Sequence, residues 1–164
     1  MPGTDTTPWL DALEMTAWRA YVETYADLMA ALDADLKPHG LCVGDYQVLV
    51  YLSESDDDRL RMCDLAERLQ LSPSGLTRRL DGLVGGGLVA RVDADDDRRV
   101  KMAVLTDTGR AVLERTAPHH VASVRRHLID LLSREQLEAL ATAFATVRTH
   151  LDDTGPRSPA GEAT

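Results

Sequence analysis

Lysine occurs twice in 164 residues, cysteine twice and phenylalanine once, and each shortage narrows what the chain does. Two cysteines, Cys42 and Cys63, supply no disulfide framework, and Met1-Pro2-Gly3-Thr4-Asp5 has neither the basic start nor the apolar stretch of a secretory signal. No apolar run approaches the roughly 18 residues needed to cross a bilayer. The only glycine-rich run, Gly85-Gly86-Gly87, follows a helical pattern and lacks the lysine of a phosphate loop. No nucleophile stands in a recognisable pairing with a base. The expectation is a cytoplasmic domain without membrane attachment, catalysis, metal or cofactor.

Basic charge is scarce as well. The formal charge of −9 argues at first against nucleic acid, because a protein that neutralises phosphates is basic where it touches them. The deficit is regional. Residues 1–36 hold seven acids against Arg19 alone, whereas between Ser72 and Val92 the charges are Arg78, Arg79 and Arg91 against Asp81. A locally positive segment inside an acidic chain keeps DNA binding open.

Apolar residues at Leu10, Leu13, Ala17, Tyr21, Leu28, Leu32 and Leu36 recur at helical spacing and predict a long amphipathic helix over residues 9–36, ended by Pro38 and Gly40. A short buried helix follows over 45–52, and 53–59, with Asp56-Asp57-Asp58, is expected to be a solvated loop. Residues 62–69 form another short helix. Ser72 as N-cap and Pro73 at the first position open the next, because the serine hydroxyl satisfies an orphan amide and proline's missing N–H costs nothing there. Leu76, Leu80, Leu83 and Val84 are its apolar face, and the glycine run is its stop.

Residues 88–92 and 100–105 read as a β-hairpin around an acidic tip. Thr106 caps a further helix, which Pro118 is expected to kink or divide near residue 117. Ser133-Arg134-Glu135-Gln136 is a capping box, and Leu137, Leu140, Phe144, Val147 and Leu151 stripe the last helix.

This order is a mainly α chain with a small β-hairpin wing, a winged helix-turn-helix embedded in extra helices. The lobe over residues 41–105 is flanked by helical regions at 9–36 and 107–152, with disorder expected at 1–8 and 153–164. In such a unit one helix braces across the DNA backbone and the second presents its N-terminal side chains to the major groove. Here those are Ser72, Ser74, Gly75, Thr77, Arg78 and Arg79. Arginine grips guanine in bidentate fashion, serine and threonine pair with bases or phosphates, and the free amides of a helix start favour a phosphate. Gly75 costs about 1 kcal/mol of helix propensity, a loss that close approach of DNA or a neighbouring helix would explain.

With Asp64-Leu65-Ala66-Glu67-Arg68-Leu69, Leu76-Thr77-Arg78-Arg79-Leu80, Gly87-Leu88-Val89-Ala90-Arg91, Asp97-Arg98-Arg99 and Leu105-Thr106-Asp107-Thr108-Gly109 in this order, the chain resembles the MarR family of winged-helix regulators over residues 10–150. The resemblance implies a homodimer whose first and last helices interleave, and two lobes reading double-stranded DNA at a palindromic operator, usually in repression. It also implies that Asp97 orients Arg99 toward the minor groove or backbone, with Arg98 beside it. The acids Asp93, Asp95, Asp96 and Asp97 are a departure that weakens the wing's hold on phosphates. A calcium loop is excluded by Arg98 and Val104 at the glycine and glutamate positions.

The resemblance further implies release from DNA by a small aromatic or anionic effector bound between the dimer helices and the lobe. Trp18, Tyr21, His39 and Tyr46 are the candidates to line that cleft, with core packing as the competing reading for each. The competing functions are a winged-helix protein-interaction module without DNA binding, and a regulator responding to oxidant through Cys42 or Cys63 or to metal through His39, Cys42, His119 and His120. The apolar stripes of the terminal helices exceed what one lobe covers and favour a dimer over an intramolecular pairing of the two.

Overall fold

The computed structural model describes residues 8–94, 97 and 99–154. The chain divides into two compact units, Met1–Val124 and Arg125–Thr164. The expected disorder at 1–7 and 155–164 lies outside the described residues.

In the first unit, α1 (Ala12–Leu36) begins three residues later than its apolar stripe suggests. Asp11 sets the start: its carboxylate accepts from the amides of Leu13 and Glu14 at 2.8 and 2.9 Å, and the Glu14 carboxylate accepts from the Asp11 amide at 2.8 Å. Of the stripe, only Leu32 and Leu36 at the C-terminal end are buried. After a one-turn 3-10 helix at Lys37–His39 comes α2 (Val43–Ser53), with Tyr46, Val48, Leu49 and Leu52 buried.

The segment expected to be a solvated loop carries a 3-10 turn at Asp56–Asp58 and then a third strand, β1 (Arg59–Arg61). Next come α3 (Met62–Arg68), α4 (Pro73–Gly85), β2 (Val89–Asp93), β3 (Lys101–Leu105) and α5 (Asp107–His127). The sheet order is β1-β3-β2, antiparallel throughout, with Leu60 opposite Ala103 and Arg91 opposite Ala103 on the other side. Arg-Leu-Arg is too short to display a strand period, so only its pairing with β3 reveals it.

Leu36, Leu49, Leu52, Leu65, Leu76 and Leu80 are the centre of one core that joins α1's end, α2, α3, α4 and the sheet. Each such leucine contributes roughly 1.5–3 kcal/mol by burial. Ser72 caps α4 as expected, its hydroxyl accepting from the Gly75 amide at 3.1 Å. A Cβ at Gly75 would meet that hydroxyl at 3.2 Å, so the close neighbour is the helix's own cap and not another helix.

At the other end α4 closes with paired bonds, Leu88 N–H to the Leu83 carbonyl at 2.9 Å and Gly87 N–H to the Val84 carbonyl at 3.0 Å. Gly87 takes φ +69°, the left-handed geometry that this closure demands. The Thr106 hydroxyl accepts from the Gly109 amide at 3.0 Å and donates to the Gly87 carbonyl at 2.7 Å. A Cβ on Gly109 would collide with the Leu88 carbonyl and sit 2.8 Å from Leu105 Cδ1.

Of the kink or division expected at Pro118, the division does not occur: α5 runs unbroken from Asp107 to His127. Both Pro118 and Glu114, whose carbonyl loses its partner, are exposed, so the freed group is open to solvent.

The second unit contains the last residues of α5, a 3-10 turn at Ile129–Leu131 and α6 (Arg134–Thr154), two residues longer than expected. The capping box forms: the Ser133 amide donates to Gln136 Oε1 at 2.8 Å and the Gln136 amide to the Ser133 hydroxyl at 3.3 Å. No residue of α6 is buried, and Phe144, Val147 and Leu151 are exposed.

Candidate nucleic-acid interface

The exposed side of α4 carries Ser74, Thr77 and Arg78, while Leu76, Leu80 and Leu83 face the core. Arg78 is exposed and makes no hydrogen bond or ion pair with another described residue. Its cation is therefore available to an external anion or base edge. The Ser72 and Ser74 hydroxyls lie 3.2 Å apart at the helix start, and Thr77 donates to the Pro73 carbonyl at 2.9 Å. Thr77's oxygen keeps acceptor capacity and its methyl remains free for apolar contact.

Arg79 differs. Its Nη1 donates to Cys42 Sγ at 2.9 Å and to Asp45 Oδ1 at 3.4 Å, so its guanidinium lies on the N-terminus of α2. The sequence groups Arg79 with the DNA-facing residues; the fold turns it inward. Arg91, absent from that group, is an organiser. Its Nη2 donates to the Thr77 carbonyl at 2.8 Å and to Asp81 Oδ1 at 2.9 Å, tying β2 to α4.

At the wing the expected Asp97–Arg99 pair is present. Asp97 Oδ1 accepts from the Arg99 amide at 2.9 Å and from its Nε at 3.2 Å. These bonds, the amide first, hold the Asp97 carboxyl below the usual carboxylate range. The Arg99 side chain remains 92% exposed. Lys101 is ion-paired with Asp93 across the hairpin, and both side chains stay exposed. Arg98 lies outside the described residues, as do Asp95 and Asp96.

Residues 36–100 match the profile described as MarR family. The chain is 34% identical over 85 residues to the HTH-type transcriptional repressor YetL of Bacillus subtilis, covering 52% of this chain and about half, 51%, of that protein. Its fold superposes on AbsC, a MarR family transcriptional regulator from Streptomyces coelicolor, with TM-score 0.85 and 44% identity over 90% of this chain and all of AbsC. The chain belongs to the MarR family of DNA-binding transcriptional regulators. A second member, Sco3205 from the same organism, whose structure is of a complex with DNA, is 39% identical with TM-score 0.82, over 87% of this chain and 94% of Sco3205. These relatives are named as transcriptional regulators.

The four residues expected to line an effector cleft fall into two groups. Trp18 and Tyr21 form an aromatic ladder with Tyr25 on α1, centroids 6.1 and 6.2 Å apart in succession, and all three are substantially exposed. His39 and Tyr46 are instead brought against α5: His39 packs on His119 at 4.6 Å and Tyr46 on His120 at 4.3 Å. The adjacent histidines thus serve different partners, and no cluster of three metal-binding side chains occurs among the described residues.

Sequence reasoning named His120 only as a metal candidate and missed Thr116 and Ser123 on the same helix. Thr116 Oγ1 and His120 Nδ1 are buried without a hydrogen-bond partner, and the Ser123 hydroxyl donates to Asp35 Oδ2 at 2.5 Å. Burial lowers the His120 pKa and raises that of Tyr46. The only signal in the sequence was helical spacing of Thr116, His120 and Ser123 at four and three residues.

Of the cysteines, Cys63 opens on a cleft of about 470 Å³ among α3, α4 and the wing. Desolvation, and then its bond to Asp64, push the exposed Cys63 thiol up.

Proposed function

We propose that the chain acts as a homodimeric, sequence-specific regulator of double-stranded DNA at a palindromic operator, and represses. The carrying observation is the pair of outward arginines, Arg78 on α4 and Arg99 on the wing, the first without an internal partner and the second aimed by Asp97. Complex formation by Sco3205 with DNA and the repressor role in the name of YetL support the reading. Dimerisation is supported by Trp9 at 92%, Leu13 at 77% and Trp18 at 56% exposure on or just before α1, and by α6, none of whose residues is fully buried.

A small aromatic or anionic effector lowers DNA affinity in this reading. Its support is the unsatisfied His120, whose ring packs on Tyr46, and the unsatisfied Thr116 one turn earlier on α5, since buried polar groups without partners are rare in native proteins. DNA selection from random duplexes, followed by footprinting and sedimentation, tests the whole. A palindrome with half-sites about 34 Å apart, bound by two chains, is expected. A monomer at micromolar concentration, or binding without sequence preference, would refute it.

A further inference from the structure

Arg79 sits one residue after the principal base-reading candidate, yet helical geometry gives it a different direction. It is three residues from Leu76 and four from Leu83, both buried, so it stands at the edge of the packed face of α4. From there the guanidinium reaches the first turn of α2. Nη1 bonds Cys42 Sγ at 2.9 Å and lies 3.4 Å from Asp45 Oδ1, with both the Arg79 and Asp45 side chains mostly covered, at 34% and 25% exposure.

The guanidinium also lies flat on Gly44. A Cβ there would come within 2.6 Å of Cζ and 2.7 Å of each terminal nitrogen, so every other residue type would displace it. Asp45 divides its oxygens: Oδ2 accepts from the Cys42 amide at 3.3 Å, and Oδ1 faces Arg79. The next amide, Val43, donates to Asp33 Oδ1 of α1 at 2.6 Å. Two carboxylates therefore offset both the positive end of α2 and the arginine placed against it, and α1, α2 and α4 meet at one helix start.

We infer that Arg79 is a positioning residue that sets the rotation of α4, and with it the bases that Ser74, Thr77 and Arg78 reach, while neutralising no phosphate itself. Gly44 is its seat. The inference rests on the proposed reading of DNA by α4. A cation in that seat does not contribute to the salt dependence of binding, whereas a phosphate contact would contribute about 0.9 to the slope. Lysine, with a point charge in place of a planar fork, preserves a phosphate contact and loses the stacked, two-acceptor arrangement.

The test measures affinity for the selected operator and for a scrambled duplex across salt concentrations, with the full chain as wild type, Arg79→Lys, Arg79→Met and Gly44→Ala. Each variant is expected to lose about tenfold in the ratio of operator to scrambled affinity. The slope and affinity on scrambled DNA should stay at wild-type values, which also reports an intact lobe. Combining Arg79→Met with Gly44→Ala should add nothing, because both remove one arrangement. Wild-type selectivity in Arg79→Lys, together with a reduced slope in Arg79→Met, would overturn the inference and make Arg79 a phosphate contact. A wild-type protein without selectivity would remove the DNA reading and this inference with it.

Discussion

Arg91 on β2 holds Asp81 on α4 through Nη2 at 2.9 Å, and the same nitrogen bonds the Thr77 carbonyl at 2.8 Å. The wing and the proposed recognition helix therefore share one cation. Because the pair is partly exposed, Asp81→Asn should cost at most about 1 kcal/mol of stability. Arg91→Met removes the carbonyl bond as well and should lower operator affinity more than Asp81→Asn does. Denaturant titration and operator binding of the two variants check this; equal effects on affinity would assign all of Arg91's role to the carboxylate.

Arg78→Ala should relax preference at one or two positions in each half-site and cost about 1–3 kcal/mol for each bidentate base pairing removed. Its thermal stability should match wild type, since Arg78 bonds no other described residue. Selection on random duplexes measures the first effect and calorimetry the second. An unchanged preference would remove Arg78 as a base reader.

Arg99→Ala should weaken binding to all sequences nearly equally and reduce the salt slope by about 0.9 for each phosphate that the side chain neutralises. In the free protein the same substitution keeps an amide at position 99, the larger cause of the lowered Asp97 pKa, so that pKa should rise only part of the way to its ordinary value. A carboxyl whose pKa falls on folding stabilises the native state above its unfolded pKa, near 3.9, and that contribution disappears as the pH drops through the lowered value. Carbon-detected titration of Asp97 in both proteins reads the shift. An Asp97 pKa at the ordinary value in wild type would contradict the observed turn.

Thr116→Val replaces a buried, unpaired hydroxyl with a methyl group of similar size. Removing an unsatisfied polar atom should raise the stability of the unliganded protein by about 1 kcal/mol, read as an increase in melting temperature. If an effector bonds this hydroxyl, the variant should also lose ligand-induced release from DNA. A destabilised Thr116→Val would mean that the hydroxyl has a partner in solution.

The parts of this architecture governed by near neighbours in the chain were legible in the sequence. Ser72-Pro73, Thr106, the 133–136 box and the stop at Gly87 act within a turn of the residues they satisfy, and each forms as the residue types dictate. Arg99's pairing with Asp97 is equally local, although its expectation came from the family resemblance. Other features depend on residues distant in sequence. The strand at Arg59–Arg61 exists because β3 offers an edge, and Arg79's inward course exists because Gly44 leaves space on α2. The His39 and Tyr46 contacts likewise require α5 to return beside α2, which no local pattern encodes. Residue type alone made Arg78 and Arg79 alike; tertiary packing separates them.

The collision awaiting any side chain at Gly109, together with Thr106's bond to the Gly87 carbonyl, makes the joint between α4's end and α5's start a hinge without play. The nearest neighbour there is the Leu88 backbone, with the Leu105 side chain beside it. If α4 reads DNA as proposed, this joint would couple the first turn of α5 to the end of that helix. In that reading α5 is a handle on α4, and whatever grips it would bear on the angle at which Arg78 is presented.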